Sequence, residues 1–234
     1  MTLDHRQVIA IDGPGAAGKS TVAQQLADRT GAMLFDTGAL YRAVTLLAVR
    51  QGVDGADSTR LAHLARTHRI DIEPPTVSDG RQVTVLLDGE DVTWAIRTPE
   101  IDARVSEVSA HSLVREELLE VQRSIADGVR VVMVGRDIGT VVIPRAGVKV
   151  FLDASTEERA RRRFAELQGR GVNADYETVL ADLQARDDFD SSRETAPLAA
   201  AGDAVVVNTD GRSVEDIVDE IARLADRAWV STDA

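Results

Sequence analysis

Cysteine is absent from the 234 residues, which excludes disulfides, thiolate nucleophiles and cysteine-held metals and leaves stability to packing alone. Redox chemistry is therefore not expected. No run approaches the roughly 18 consecutive apolar residues of a membrane helix, and the opening MTLDHRQ lacks the basic-then-apolar order of a signal peptide. A soluble, cytoplasmic chain is the expectation. Positive charge is also in deficit: the formal net charge is −12 and aromatics make up only 3%. With no aromatic-studded basic stripe, neither nucleic acid nor an anionic membrane is an expected partner. Any phosphate ligand must be held by local donors. Lysine is scarcest of all, since the 27 basic residues include only Lys19 and Lys149 as lysines. A lysine inside a motif is then informative.

The length allows one α/β domain with insertions or two small domains. Val8 to Ile11 reads as a buried strand, followed by a glycine turn and an amphipathic helix from Lys19 to Arg29 that stops at Gly31. Met33 to Phe35 reads as a second strand, and Asp36 or Thr37 can cap a helix running to about Arg50. From about 57 to 99 the rhythm changes to a short helix and two alternating runs, Arg69 to Glu73 and Gln82 to Leu87, an inserted antiparallel patch. Helices over about Glu100 to Ala110 and Ser112 to Ala126 precede the strands Val131 to Val134 and Val148 to Leu152. A capping box at Ser155 to Glu158 opens an arginine-rich helix ending at Gly169. A helix over Tyr176 to Ser191, a strand over Ala204 to Val207 and a helix over Ser213 to Ala228 complete the chain. Short apolar strands alternating with helices indicate a parallel sheet.

Gly13-Pro14-Gly15-Ala16-Ala17-Gly18-Lys19-Ser20 matches the G-x-x-x-x-G-K-[ST] phosphate loop, with the required strand before it and helix after it. Small residues let backbone N–H groups converge on the β- and γ-phosphates, and the helix N-terminus adds positive potential. Lys19 supplies a point charge, Ser20 is a candidate Mg²⁺ ligand, and Thr21 completes the ATP-binding segment. Asp12 either orients Lys19 or a water on Mg²⁺, or is an ordinary turn aspartate. A GTPase needs an Asn-Lys-x-Asp motif, which this chain lacks, so ATP is the expected donor.

An anionic acceptor needs its own cationic clamp. Arg42 and the Gly135-Arg136-Asp137 turn both fall at the carboxyl edge of the sheet. Arg186, Asp190 and Arg193 share one helix face, as an acceptor site or as a surface ion-pair ladder. Glu157 with Arg161 and Glu158 with Arg162 are i,i+4 pairs that could simply solvate a helix. His5, His63, His68 and His111 lie outside every motif and are not expected to be catalytic.

With these segments in hand, the chain resembles the bacterial cytidylate kinases. The carrying segments are Gly13 to Thr21, Asp36 to Arg42, Asp88 to Thr93 with Ile96 to Glu100, Gly135 to Val142, Phe151 to Arg159, and Arg186 to Leu198. The resemblance implies a three-layer P-loop NTPase fold: an α/β core with a central parallel sheet, a small antiparallel β insertion in the CMP-binding segment, and a helical lid. It divides the chain into an ATP-binding core (1–36, 105–156 and 173–234), a CMP-binding segment (37–104) and a lid (157–172). It implies transfer of the γ-phosphoryl group of ATP to CMP or dCMP, with Mg²⁺, by a monomer. Arg42, Arg136 and Arg193 would hold the CMP phosphate; Ser106, Arg115 and Asp137 would read the cytosine edge; Arg186 and Asp190 would touch the ribose. Thr37 joins this substrate set, standing where serine is frequent in the family. Lys19, Arg136 and the lid arginines Arg159 and Arg163, with Arg170 a further candidate, would stabilise the charge in transit. On spacing alone Ser106 is equally an ordinary helix serine, and Arg115 is similarly ambiguous. Phe189 and Ser191 depart from a stretch that is often richer in arginine, which puts the ribose contacts in doubt.

Overall fold

The computed structural model describes residues 5–230; the outermost residues assigned to the core, 1–4 and 231–234, lie outside it. Five short strands, β1 (Val8–Asp12), β2 (Met33–Asp36), β6 (Val131–Val134), β7 (Val148–Asp153) and β8 (Val205–Asn208), form one sheet in the order β2-β6-β1-β7-β8. Every pairing in it is parallel. Side chains alternate across a strand, and here both faces are apolar. Val8 and Ala10 of β1 join one buried cluster with α2 (Gly38–Gln51), α3 (Ser58–Thr67), α4 (Pro99–Ala110) and α5 (Ser112–Ile125). Ile9 and Ile11 join another with α1 (Lys19–Thr30) and α8 (Val214–Val230). A sheet covered on both faces is the three-layer architecture, and it explains why its strands read as unbroken apolar runs.

The inserted patch is an antiparallel sheet of β3 (Ile70–Glu73), β4 (Thr84–Leu87) and a two-residue β5 (Glu90–Asp91). Its Val85 and Leu87 are buried in the same cluster as α2 to α5. The last strand was not legible in advance, because the Asp88-Gly89 turn, with both residues at positive φ, leaves only two residues to pair. The arginine-rich helix α6 (Thr156–Gly169) and α7 (Tyr176–Ser192) pack through Ala160, Val179 and Leu183, with Phe164 edge-on to Tyr176.

Of the two caps expected for α2 one forms, and the capping box expected on α6 forms only in part. Asp36, not Thr37, caps α2, its Oδ1 accepting from the Gly38 N–H at 3.0 Å. Only half of the capping box on α6 forms: Ser155 Oγ accepts from the Glu158 N–H, but the Ser155 N–H donates to the Asp210 carboxylate. Glu158 is drawn away by Arg162, at 3.0 Å.

The start of β1 is sealed by a close crossing. The Gly147 N–H donates to the His5 carbonyl, and a Cβ on Gly147 would stand 1.9 Å from the Arg6 carbonyl oxygen. Backbone cannot yield as a side chain would. Gly147→Ala is therefore expected to cost about 1–3 kcal/mol, the range for overpacking, read as a lowered urea midpoint with an unchanged m-value; an unaltered midpoint would show that the crossing is soft.

Candidate active site

The loops after β1, β2, β6, β7 and β8 all leave the carboxyl edge of the sheet, where ligands of open α/β folds bind. After β1 the chain turns through Gly13 to Gly18. Gly13 has φ 144° and a Cβ there would lie 2.1 Å from the Leu152 carbonyl oxygen, so no other residue fits. Gly18, at φ 87°, delivers the chain into α1. Lys19 folds back over this loop, donating to the Gly13 and Pro14 carbonyls at 2.7 and 2.6 Å. Burial, and next the positive charge of Arg136, hold its ammonium well below the usual lysine pKa. Ser20 and Thr21 occupy the first turn of α1.

Asp12 ends β1, and both its oxygens accept backbone N–H groups, from Ile138 at 2.7 Å and Gly139 at 2.8 Å. It is thus neither an ordinary turn aspartate nor paired directly with Lys19: it fixes the single π-turn (Ile138–Val142) that follows Arg136 and Asp137. Arg136 lies across the phosphate loop, Nη1 donating to the Gly13 carbonyl at 2.7 Å and Nε to Asp190 at 3.0 Å. Asp137 is buried and paired with Arg115, whose guanidinium also sits 5.4 Å from the centre of the Tyr41 ring. Thr37 is buried beside this turn, its hydroxyl donating to the Val134 carbonyl at 2.8 Å.

Asp190 is 3% exposed and also lies 3.6 Å from Arg193, so the surface-ladder reading of this helix face falls. Arg186 is crowded by Arg136 and Arg42; burial first, then Arg136, lowers its pKa to about 10. Its Nε is buried without a hydrogen-bond partner. Arg193 is held by the Asp190 and Ala196 carbonyls and by the Ser109 hydroxyl at 3.4 Å. Ser109, a turn beyond Ser106, also lends its carbonyl to Arg115. Ser106 enters this network only through its carbonyl, which accepts from the Ser109 hydroxyl.

The lid arginines divide by partner. Arg159 is 3% exposed and every nitrogen is engaged: with the Ala154 carbonyl, the Gly15 carbonyl, Thr156 and Asp187. It ties the lid's first turn to the phosphate loop. Arg162 is not a solvating residue, since it donates to the hydroxyl and carbonyl of buried Thr209 at 2.9 and 2.8 Å and its Nη1 faces Gly18. Arg161 is the exposed one, and it pairs with Glu158 rather than Glu157. Arg163 reaches Asp102 at 2.9 Å, and Arg42 pairs with that same carboxylate. Arg170 donates to the Arg97 carbonyl at 3.1 Å. Asp102 and Ser109 were invisible in the sequence because they belong to no motif and reach the site only through tertiary packing.

Asp12 offers a pH signature. Burial, only partly offset by the Gly139 and Ile138 N–H groups, raises its pKa from 3.8 to about 6. The folded state therefore binds the proton more tightly than the unfolded chain, so the stabilisation is complete below about pH 4 and is lost as pH rises through 6. Relative to Asp12→Asn, the parent should lose up to about 3 kcal/mol between pH 4 and 7, measured by urea unfolding; a pH-independent difference would contradict the shift.

A family model described as cytidylate kinase matches residues 9–227. A cytidylate kinase of Herpetosiphon aurantiacus is 50% identical over 224 residues, covering 96% of this chain and 95% of its own length. One from Bacillus subtilis is 46% identical over 219 residues, 94% of this chain and 96% of its own. Among solved structures, an uncharacterized protein from Eubacterium ventriosum aligns with a TM-score of 0.52 at 14% identity, over 94% of this chain and 98% of that one, a likeness of fold alone. With the phosphate loop, the Gly135–Asp137 turn and the lid assembled on one sheet edge, and relatives this similar over nearly the whole length, the chain belongs to the cytidylate kinase family.

Proposed function

We propose that the arginine cluster at the sheet's carboxyl edge receives the phosphate of CMP or dCMP, and that the chain transfers to it the γ-phosphoryl group of ATP. The observation that carries this reading is Arg186: a guanidinium with a buried, unpartnered Nε, pressed by Arg136 and Arg42, in a chain of net charge −12. Crowding buried cations is costly unless an anion joins them. An acceptor phosphate met by Arg42, Arg136 and Arg193, with the ribose against Arg186 and Asp190, supplies that charge.

Asp137 is a buried acceptor suited to the cytosine amino group, which uracil replaces with a carbonyl. Arg115, Ser106 and Thr37 complete that side of the pocket. Residues 37–104 form the acceptor segment and 157–172 the lid over an ATP-binding core made of the remainder. A phosphate oxygen of CMP attacks the γ-phosphorus in line as the bond to the β-phosphate oxygen breaks, giving CDP and ADP. The second pKa of a phosphomonoester is about 6, so the nucleophile is already ionised and needs no base. Lys19 exchanges its two loop carbonyls for donor phosphates, while Arg136, Arg159 and Arg163 position and neutralise the groups around the transfer.

Mg²⁺ bound with ATP supplies further neutralisation of the donor phosphates. The chain fits it sparingly: Ser20 stands in the first turn of α1, whereas both oxygens of Asp12 are engaged by backbone. No group of three or more acidic or imidazole side chains suited to a metal occurs among the described residues, which accords with an ion held largely by nucleotide and water. The same reading takes the enzyme to be a cytoplasmic monomer; no helix among the described residues is long and apolar enough to cross a membrane.

Coupled ADP-release assays with ATP, Mg²⁺ and a panel of CMP, dCMP, UMP and dTMP test the proposal. Turnover should be greatest with the cytidine acceptors, and ATP consumption indifferent to every acceptor would reject it. Arg136→Ala should lower kcat/KM for CMP by about 100-fold or more with the circular-dichroism spectrum retained; near-normal turnover would remove Arg136 from the site. Asp137→Ala should narrow the preference for CMP over UMP by about tenfold, a ratio that a general loss of activity leaves unchanged.

A further inference from the structure

One carboxylate joins the lid arginine Arg163 to the acceptor arginine Arg42. Asp102 sits in the first turn of α4, and its two oxygens point to different elements: Oδ1 accepts from Arg42 Nη1 on α2, and Oδ2 from Arg163 Nη2 on α6 at 2.9 Å. Burial alone would push this carboxyl upward, yet the two guanidiniums hold it below the usual aspartate range. The link continues along the lid. Glu166 takes Arg163 at 2.9 Å and Arg170 at 3.4 Å, and Arg170 donates to the Arg97 carbonyl just before α4. Lid and acceptor segment are thus stitched at two points, of which only Asp102 includes a proposed substrate arginine.

A first-turn aspartate would ordinarily be explained by the helix dipole, and Glu100 in the same turn needs no more than that. Asp102 differs because its side chain is only 20% exposed and both its partners come from other elements. The guanidinium of Arg42 has five N–H donors in a fixed fork, and Asp102 uses Nη1. Orienting the fork from behind leaves its remaining donors directed by that contact. Arg163 is oriented from the other side of the same carboxylate.

We infer that Asp102 is a positioning residue that joins the acceptor arginine Arg42 to the lid arginine Arg163, so that the lid closes in register with a loaded acceptor. Its function is coupling: ATP is committed to transfer when the acceptor phosphate and the lid arginine are aligned through one carboxylate. Without it the two arginines move independently, and water competes with CMP for the γ-phosphoryl group.

This inference rests on the assignment of Arg42 to the acceptor phosphate, and the two fail differently. An unchanged KM for CMP in Arg42→Ala sinks the assignment. The coupling is tested in Asp102→Asn, with Asp102→Ser alongside so that a folding failure of one leaves the comparison standing. CDP formed, total ATP consumed and the KM for each substrate are measured with ATP and Mg²⁺. The expected result is a fall of about tenfold in kcat for CDP, a lower yield of CDP per ATP consumed, and a KM for ATP within about twofold of the parent. In an Arg163→Gln background the same Asp102 substitution should change kcat by less than about twofold, because its partner is already gone. The inference is overturned by CDP yield and kcat within about twofold of the parent in the single variants, or by an equal tenfold loss in the Arg163→Gln background.

Discussion

Everything at the active edge depends on how Asp12 is held. It is the last residue of the central strand, and its carboxylate binds two successive N–H groups of the turn after β6. One side chain thereby fixes the relative placement of two loops that are 123 residues apart where Arg136 meets the Gly13 carbonyl. The phosphate loop and the Arg136–Asp137 turn are consequently one rigid unit. The arrangement carries an electrostatic cost, since a buried carboxylate near Asp137 has its pKa raised, and the nearby Lys19 ammonium and the two N–H groups offset only part of it. Holding Arg136 in register with the phosphate loop is what that cost supports.

The second constraint is the management of positive charge. Burial and the nearby charges of Arg136 and Arg186 lower the pKa of Lys19, and burial with Arg136 and Arg42 lowers that of Arg186, while fixed carboxylates limit the repulsion. Asp190 serves Arg136 and Arg193, Asp187 serves Arg159, and Asp102 serves Arg42 and Arg163. Two of these three acids lie on α7, which packs directly against the lid helix. Each of these counterions thus ties an arginine to a different element of the chain. Arg186 still keeps a buried Nε without a hydrogen-bond partner, and burial with the charge of Arg136 lowers its pKa to about 10.

The order of strands and helices was legible because both faces of the sheet are apolar and most glycines and prolines fall between elements or at their ends. The phosphate loop was legible because its function is backbone geometry, which small residues advertise locally. Arg136 and Asp137 were visible as a charged pair after an apolar strand, although the burial of Asp137 was not. What escaped was contact between distant elements. Asp102 looks like a helix-start acid, Ser109 like any helix serine and Thr209 like a turn residue, yet each is a partner for an arginine from another part of the chain.

Along α6, helix periodicity alone does not fix the ion pairs. Residues four apart share a face, and that rule pairs Glu157 with Arg161 and Glu158 with Arg162 on equal terms. Only the second pair forms, because Glu158 faces the phosphate loop side, where Arg162 also finds Thr209. Arg161 then turns to the same carboxylate, and the capping box loses its second half. Periodicity determines which side chains are neighbours, but the burial of one face against the core decides which neighbour has competing partners. The arginines that look redundant in sequence, Arg159, Arg161, Arg162 and Arg163, are therefore separated by direction alone: one into the phosphate loop, one to solvent, one to the segment after β8, and one across to Asp102 on α4.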